Sequence, residues 1–155
     1  MSFQISTLPL DRFTHLFDLD DLGLAKVGAR RYVADRKPGF PCRVTLQDAE
    51  PGERLILIPF QHQHGGSPYQ ATGPIFVRES AVDVAVPAST IPELLRSRLL
   101  SLRAYDGDDL MIDADVVDGR EVEGAIERLL GDGRASYLHV HFARPGCYAC
   151  RVDRA

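Results

Sequence analysis

Residues 135–152, ASYLHVHFARPGCYACRV, consist of two alternating segments on either side of Pro145-Gly146. Polar or aromatic side chains alternate with apolar ones in both segments, which is the period-two pattern of a β-strand. Proline followed by glycine marks a turn, so the two segments are predicted to pair as a hairpin. Because successive side chains point to opposite faces of a strand, His139 and His141 are expected to share one face.

Outward from this hairpin, the same alternation predicts six further strands, and apolar residues at helical spacing predict helices. The predicted strands are 40–47, 54–60, 74–79, 82–86, 99–105 and 110–117. The predicted helices lie within 9–35, 91–98 and 121–130. The expected fold class is α+β, with N-terminal helices followed by a largely antiparallel β-sheet on which two further helices pack. We expect a single domain, 1–155, made of a helical N-terminal segment, 1–37, and a β-rich body, 38–155.

The composition is typical of a soluble globular protein, with 45% hydrophobic and 26% charged residues among 155. A net charge of −4 does not favour nucleic acid or a membrane surface as a partner. No signal-peptide pattern opens the chain, and no segment approaches the ~20 apolar residues of a membrane span. A cytoplasmic location is therefore expected. The three cysteines are an odd number, which disfavours a disulfide framework.

His139 and His141 are candidate catalytic or metal-binding residues. Asp113 and Asp115 have the same two-residue spacing on the predicted strand 110–117 and are expected to face the same way. Together, two imidazoles and one carboxylate would suit zinc or another divalent metal, or acid–base chemistry without a metal. The sequence requires no cofactor, and a solvated polar sheet face without chemistry is the alternative.

The segment 65–73 contains three glycines and is predicted to be a loop. Glycine lets the backbone approach a ligand closely, and arginine side chains can hold an anionic group there. A plain connection between strands is the alternative. His62 and His64 stand at the start of this loop and are expected to be exposed.

Cys147 and Cys150 have the spacing of redox motifs and zinc knuckles. Their position on a predicted strand would send the two thiols to opposite faces, which argues against a zinc knuckle. A redox pair needs its first cysteine at the start of a helix, and Pro145-Gly146-Cys147 does not open one. Buried structural thiols are the alternative to a redox pair.

Seven motifs in order resemble a family of small bacterial proteins known as domain of unknown function 1203, from about residue 38 to the end. They are FPCR (40–43), DAEPGE (48–53), SPY and TGPIFV (67–77), LRAYD (102–106), YLHVH (137–141) and GCYACR (146–151). The resemblance implies no activity, because the family has none assigned. It directs attention to the positions that match the pattern: Arg43, Tyr69, Gly73, Arg103, Cys147 and Arg151. Related proteins often have a second cysteine where this chain has Thr45, and some have arginine in place of His141. This chain therefore departs from any cysteine or histidine metal site that the family would have, which argues against zinc here.

Three functional hypotheses follow. The first is a small-ligand or anion-binding module with its pocket at the loop 65–76; its candidate residues are Arg43, Tyr69, Gly73, Arg103 and Arg151. The second is a metal-assisted or acid–base enzyme that uses the His139 and His141 face. The third is a thiol-linked interaction or redox module that uses Cys147 and Cys150. The first is favoured because it demands the least of the geometry. An edge strand would allow a homodimer, although no sequence feature locates an interface.

Overall fold

The computed structural model describes all 155 residues and contains eight strands and four helices. The strands are β1 (Phe3–Ser6), β2 (Arg30–Val33), β3 (Arg54–Gln63), β4 (Ala71–Arg78), β5 (Leu99–Tyr105), β6 (Met111–Asp118), β7 (Tyr137–Phe142) and β8 (Tyr148–Arg154). The helices are α1 (Thr14–Phe17), α2 (Asp21–Lys26), α3 (Glu93–Arg96) and α4 (Val122–Gly131). The predicted α+β fold is confirmed, and it is mostly β. No helix is long and apolar enough to cross a membrane.

The strands form two antiparallel sheets rather than one. The larger sheet has the order β1-β8-β7-β5-β6, and the smaller sheet has the order β2-β3-β4. The predicted hairpin of β7 and β8 lies at the centre of the larger sheet. Every residue of β7 is buried, so both faces of this strand are covered.

One face of the larger sheet packs against α3 and α4. Leu102 and Val140 from the sheet meet Leu95 and Ile126 from the helices in the main core of 21 buried residues. The predicted helix 121–130 is confirmed as α4, whose apolar residues at helical spacing all face this core. Burial of such side chains is the dominant stabilising term of the fold.

The N-terminal segment differs from the prediction. Residues 9–35 form only the short helices α1 and α2, a 3-10 turn and the strand β2, while β1 pairs with β8 at the edge of the larger sheet. Gly28 adopts a φ of +73° directly after α2, which turns the chain back along β3. The apolar stripe within 9–35 is therefore split between two helices and a strand.

Two predicted strands are absent. Residues 82–86 are irregular, and residues 40–47 follow an irregular path with only two isolated bridges, Pro41 to Asp48 and Cys42 to Phe76. The backbone N–H of Arg43 donates to the carbonyl of Phe76 on β4 over 3.1 Å. This bond fixes Arg43 beside the edge of the smaller sheet, where the two sheets approach each other.

Candidate functional site

An open cleft of about 600 Å³ lies between the edge of the smaller sheet and one end of the larger sheet. We call it the arginine cleft. It is lined by Gly39, Pro41, Arg43, Leu57, Pro74, Phe76, Ser97, Arg98, Leu99, Phe142, Arg144, Pro145 and Cys147. Three of these residues are arginines and none is acidic, so positive charge dominates the wall.

Arg43 is the most deeply buried of the three, with only 1% of its surface exposed. Its guanidinium donates to the carbonyls of Tyr148 (2.7 Å) and Pro41 (2.5 Å), and Nη2 lies 3.1 Å from Sγ of Cys147. Burial lowers the pKa of Arg43, and no carboxylate forms a salt bridge with it. A buried cation without a counter-charge is costly, so this position favours an anion in the cleft.

Arg98 and Arg144 complete the basic wall. Arg98 follows α3 and forms a bidentate pair with Asp48 over 2.6 and 2.9 Å. The ring of Phe142 lies 4.9 Å from the guanidinium carbon of Arg43 and 5.0 Å from that of Arg98. Arg144 is exposed in the turn between β7 and β8 and makes no salt bridge. Two of the three guanidiniums are therefore free of a carboxylate.

The two cysteines of the predicted redox pair lie in different environments. Cys147 is half-buried in the cleft wall, whereas Cys150 is 1% exposed and belongs to the main core. Burial raises the pKa of Cys150 to about 12. Both are free thiols, as is the buried Cys42. A reactive pair is not favoured, because the thiolate is the nucleophile and Cys150 stays protonated near neutral pH.

We expect Cys147 to be the only cysteine that iodoacetamide alkylates in the folded protein, since Cys42 and Cys150 are fully buried. Mass spectrometry of peptides after timed labelling measures this directly. All three should react after unfolding in guanidinium chloride. Labelling of Cys150 in the folded protein at the rate of Cys147 would contradict the placement of these thiols.

A second cluster of polar side chains lies between the sheets, and we call it the histidine cluster. His139 and His141 on β7 meet His62, which lies in a bulge near the end of β3. The ring centroids are 5.0 Å apart for His62 and His141, 6.2 Å for His62 and His139, and 6.4 Å for His139 and His141. The ring of Tyr148 stacks on His62 at 5.4 Å. The shared face of His139 and His141 is as predicted, but His62 is half-buried rather than exposed.

The three imidazoles have unsatisfied nitrogens. Nδ1 of His141 lies 2.9 Å from the carbonyl of Gly146; since a carbonyl only accepts, Nδ1 carries the proton. Nε2 of His141 is then an unprotonated acceptor. Like Nδ1 of His62 and Nδ1 of His139, it is buried and has no hydrogen-bond partner. Unpaired buried polar groups of this kind are uncommon in folded proteins.

The cluster is surrounded by positive charge. Burial, the other two histidines, Arg151 and Arg103 lower the pKa of His139 to about 3. Burial, Arg103, His62 and Arg43 lower that of His141 to about 4, against a raising effect of the Gly146 carbonyl. Burial and Arg103 also lower the pKa of His62. The histidines are therefore neutral near pH 7.

Tyr69 and Arg103 lie at the histidine cluster and not in the arginine cleft. The ring of Tyr69 packs 6.1 Å from that of Tyr105, which in turn packs 5.1 Å from His139. Arg103 lies opposite His139 across β5 and β7. Pro74 and Phe76 of the predicted pocket segment 65–76 line the cleft together with Arg43, whereas Tyr69 and Arg103 do not, so the cleft does not combine these two residues with Arg43.

The remaining predicted ligand-binding residues, Gly73 and Arg151, are also outside the cleft. Gly73 lies opposite Phe60 on β3, and a Cβ placed there would meet no atom within 4 Å, so close packing does not require glycine at this position. Arg151 pairs with Asp153 and lies over the ring of Tyr137 at 4.0 Å. Neither residue points to a ligand contact.

Asp113 and Asp115 do not join the histidines, and this part of the prediction is wrong. Asp115 lies opposite Leu102, and Asp113 lies opposite Ala104, so both belong to the face that packs against the helices. Asp115 forms a salt bridge with Arg128 of α4. No group of three His, Cys, Asp or Glu side chains in the structure is arranged to hold a metal ion.

The sequence singled out Arg43 and Cys147 but missed Arg98, Arg144 and Phe142. Arg98 lies at the end of a predicted helix and Arg144 beside a predicted turn. A solvated arginine is ordinary at both kinds of position, so the sequence does not mark either residue. Only their convergence with Phe142 in the folded chain distinguishes them.

The family comparison agrees with the motifs noted in the sequence. Residues 39–154 match the family model described as protein of unknown function (DUF1203). No curated protein and no solved structure matches the chain. The match spans all the residues that line the arginine cleft and all three members of the histidine cluster, and the chain belongs to the DUF1203 family.

Proposed function

We propose that this protein is a small-ligand-binding module that takes up an anion in the arginine cleft. The observation that carries the proposal is Arg43, a guanidinium that is 1% exposed and has no carboxylate partner in the wall of a cleft of about 600 Å³. Arg144 adds a second unpaired positive charge at the same cleft. Charge-assisted hydrogen bonds are stronger from a guanidinium that is as deeply buried as that of Arg43 than from one in water.

The size of the cleft suits a small molecule. Ligand sites of proteins commonly occupy roughly 300–1,000 Å³ and combine apolar walls with a few polar groups. The cleft has this character, since the arginines stand among proline, leucine and phenylalanine side chains. The proposal involves neither nucleic acid nor a membrane, and it includes the bacterial, cytoplasmic setting that the resemblance and the free thiols favour.

Acid–base catalysis at the histidine cluster is the weaker alternative. An efficient general acid or base has a pKa near the working pH. Those of His139 and His141 lie at about 3 and about 4, far below neutral pH. The unpaired ring nitrogens mark this cluster as unusual, but none of its histidines lines the cleft of about 600 Å³.

Thermal unfolding in the presence of anions tests the proposal. At low ionic strength and pH 7.5, at least one of phosphate, benzoate and hexanoate should raise the Tm of the wild type above that in chloride of equal ionic strength, because a ligand that binds only the folded state stabilises it. The variant Arg144→Gln, at an exposed turn, should bind the same anion about 2- to 5-fold more weakly, as expected for one lost surface charge contact.

Arg134→Gln is the matched control, because Arg134 is exposed and pairs with Asp132 away from the cleft. It should behave as the wild type. A second variant, Arg43→Met, should abolish binding provided that its circular dichroism spectrum remains that of the folded protein. Equal stabilisation of all four proteins, or no stabilisation by any anion, would refute the proposal.

A further inference from the structure

We infer that the ligand of the arginine cleft is an amphipathic organic anion, with one carboxylate or phosphate head on an apolar body, rather than an inorganic ion. This inference rests on the proposed function and names the chemical class of its ligand. It follows from how the polar and apolar residues are divided between the walls.

The smaller sheet forms an apolar wall. All three residues that it contributes to the cleft, Leu57, Pro74 and Phe76, are apolar. Each is at least partly exposed to solvent, so the wall is not covered by another part of the chain. An apolar surface of this kind inside a cleft gains from contact with an apolar ligand.

The opposite wall carries the charge, beside the apolar residues Leu99, Phe142 and Pro145. Arg98 and Arg144 flank the larger sheet, and Arg43 reaches the same end of the cleft from the segment 39–43. Both Arg43 and Arg98 contact the ring of Phe142. Two of the three guanidiniums therefore lie against one aromatic side chain of the larger sheet, and Arg144 lines the same cleft from the turn that follows it.

A ligand that matches both walls needs two parts. Inorganic phosphate or acetate could satisfy the arginines but would leave Leu57, Pro74 and Phe76 in water. An uncharged apolar molecule could cover those three residues but would leave Arg43 buried without a counter-charge. A carboxylate or phosphate monoester with an apolar body of about five to ten carbon atoms satisfies both walls within the available volume.

The experiment is isothermal titration calorimetry of the purified protein with acetate, butanoate, hexanoate, octanoate, hexyl phosphate, inorganic phosphate and hexanamide. We expect the affinity to rise about tenfold for each two added methylene groups from butanoate to octanoate, in line with the burial of about 0.8 kcal/mol per methylene. Hexanamide, which lacks the charge, should bind at least tenfold more weakly than hexanoate. Comparison of the affinities of hexyl phosphate and hexanoate shows which head group the arginines prefer.

Two substitutions test the contribution of each wall to binding separately. Leu57→Ser should reduce the gain per methylene but leave the preference for hexanoate over hexanamide. Arg144→Gln should reduce that preference but leave the gain per methylene. Val116→Ser is the control, because Val116 is an exposed apolar residue on β6, away from the cleft.

The failures of the two proposals are distinguishable. If phosphate and acetate bind as tightly as octanoate and Arg144→Gln weakens all of them, the ligand class is wrong and the anion-binding function stands. If hexanamide binds as tightly as hexanoate and no arginine substitution matters, both the ligand class and anion recognition are refuted. Absence of binding by every compound likewise overturns both.

Discussion

Acidification from pH 7.5 to 4.5 should lower the free energy of unfolding by roughly 3–5 kcal/mol, mainly through His139 and His141. Their pKa values in the folded protein, about 3 and about 4, lie below the value of about 6.5 of an unfolded chain. Between these values the unfolded state binds more protons than the folded state, so stability is complete above pH 6.5 and is lost as the pH falls. Each histidine then loses about 2.5 kcal/mol by pH 4.5, and the loss is less than additive because the two groups are neighbours.

The surroundings of the histidine cluster explain why protonation is so unfavourable. Burial has the largest effect on the pKa values of the two histidines, Arg43, Arg103 and Arg151 lower them further, and no carboxylate raises them. The lowered pKa of the half-buried His62 acts in the same direction. Since domains of this kind are stable by only about 5–15 kcal/mol, the effect would be a large fraction of the total.

Urea unfolding at half-unit pH intervals between 7.5 and 4.5 measures this dependence. Carboxylates contribute mostly below this interval, as Glu53 does with a pKa of about 2 in its salt bridge with Arg78. In the double variant His139→Gln/His141→Gln, the free energy of unfolding should change much less with pH, whatever the absolute stability of the variant. His64→Gln, at an exposed position directly after β3, is the control and should keep the slope. An unchanged slope in the double variant would show that these histidines do not titrate as described.

Gly119→Ala should destabilise the protein by about 3 kcal/mol or prevent folding. A Cβ at this position would lie 1.9 Å from the carbonyl oxygen of Leu95, 2.8 Å from that of Arg96 and 2.7 Å from that of Arg98. These are backbone atoms that cannot rotate away, so the segment after α3 would have to move. The N–H of Gly119 also donates to the carbonyl of Arg98 over 2.8 Å, so the shift would displace a residue of the arginine cleft.

Chemical denaturation of the variant checks this expectation. Gly124→Ala is the matched control, because Gly124 lies within α4 and a Cβ there would meet nothing within 4 Å. Alanine is favoured over glycine in a helix interior by up to about 1 kcal/mol, so this variant should be as stable as the wild type or more stable. Comparable stability of Gly119→Ala and Gly124→Ala would mean that the contact between Gly119 and the α3 turn is not as tight as described.

Asp113 and Asp115 lie on the face of β6 opposite to the predicted one, although the strand itself is predicted correctly. Both strands of the β5–β6 hairpin were predicted, and so was the turn after Tyr105. A bulge then pairs Ala104 with Asp113 but Tyr105 with Met111, so Ile112 is an extra residue. One inserted residue exchanges the two faces of the strand beyond it. Both carboxylates therefore turned toward the helices and away from His139.

Sequence alone determined the elements whose pattern is local: the β7–β8 hairpin, the strand β5 and the helix α4, and it placed His139 and His141 on one face. Periodicity suffices there because burial of one face acts on residues that are close in the chain. Only the tertiary structure brought Arg43 to Cys147 across 104 positions of the chain, and placed His62 against β7. It also divided the N-terminal apolar stripe between helices and a strand. Contacts of this kind depend on how the two sheets pack on each other, and the spacing of residues within a strand carries no information about that packing.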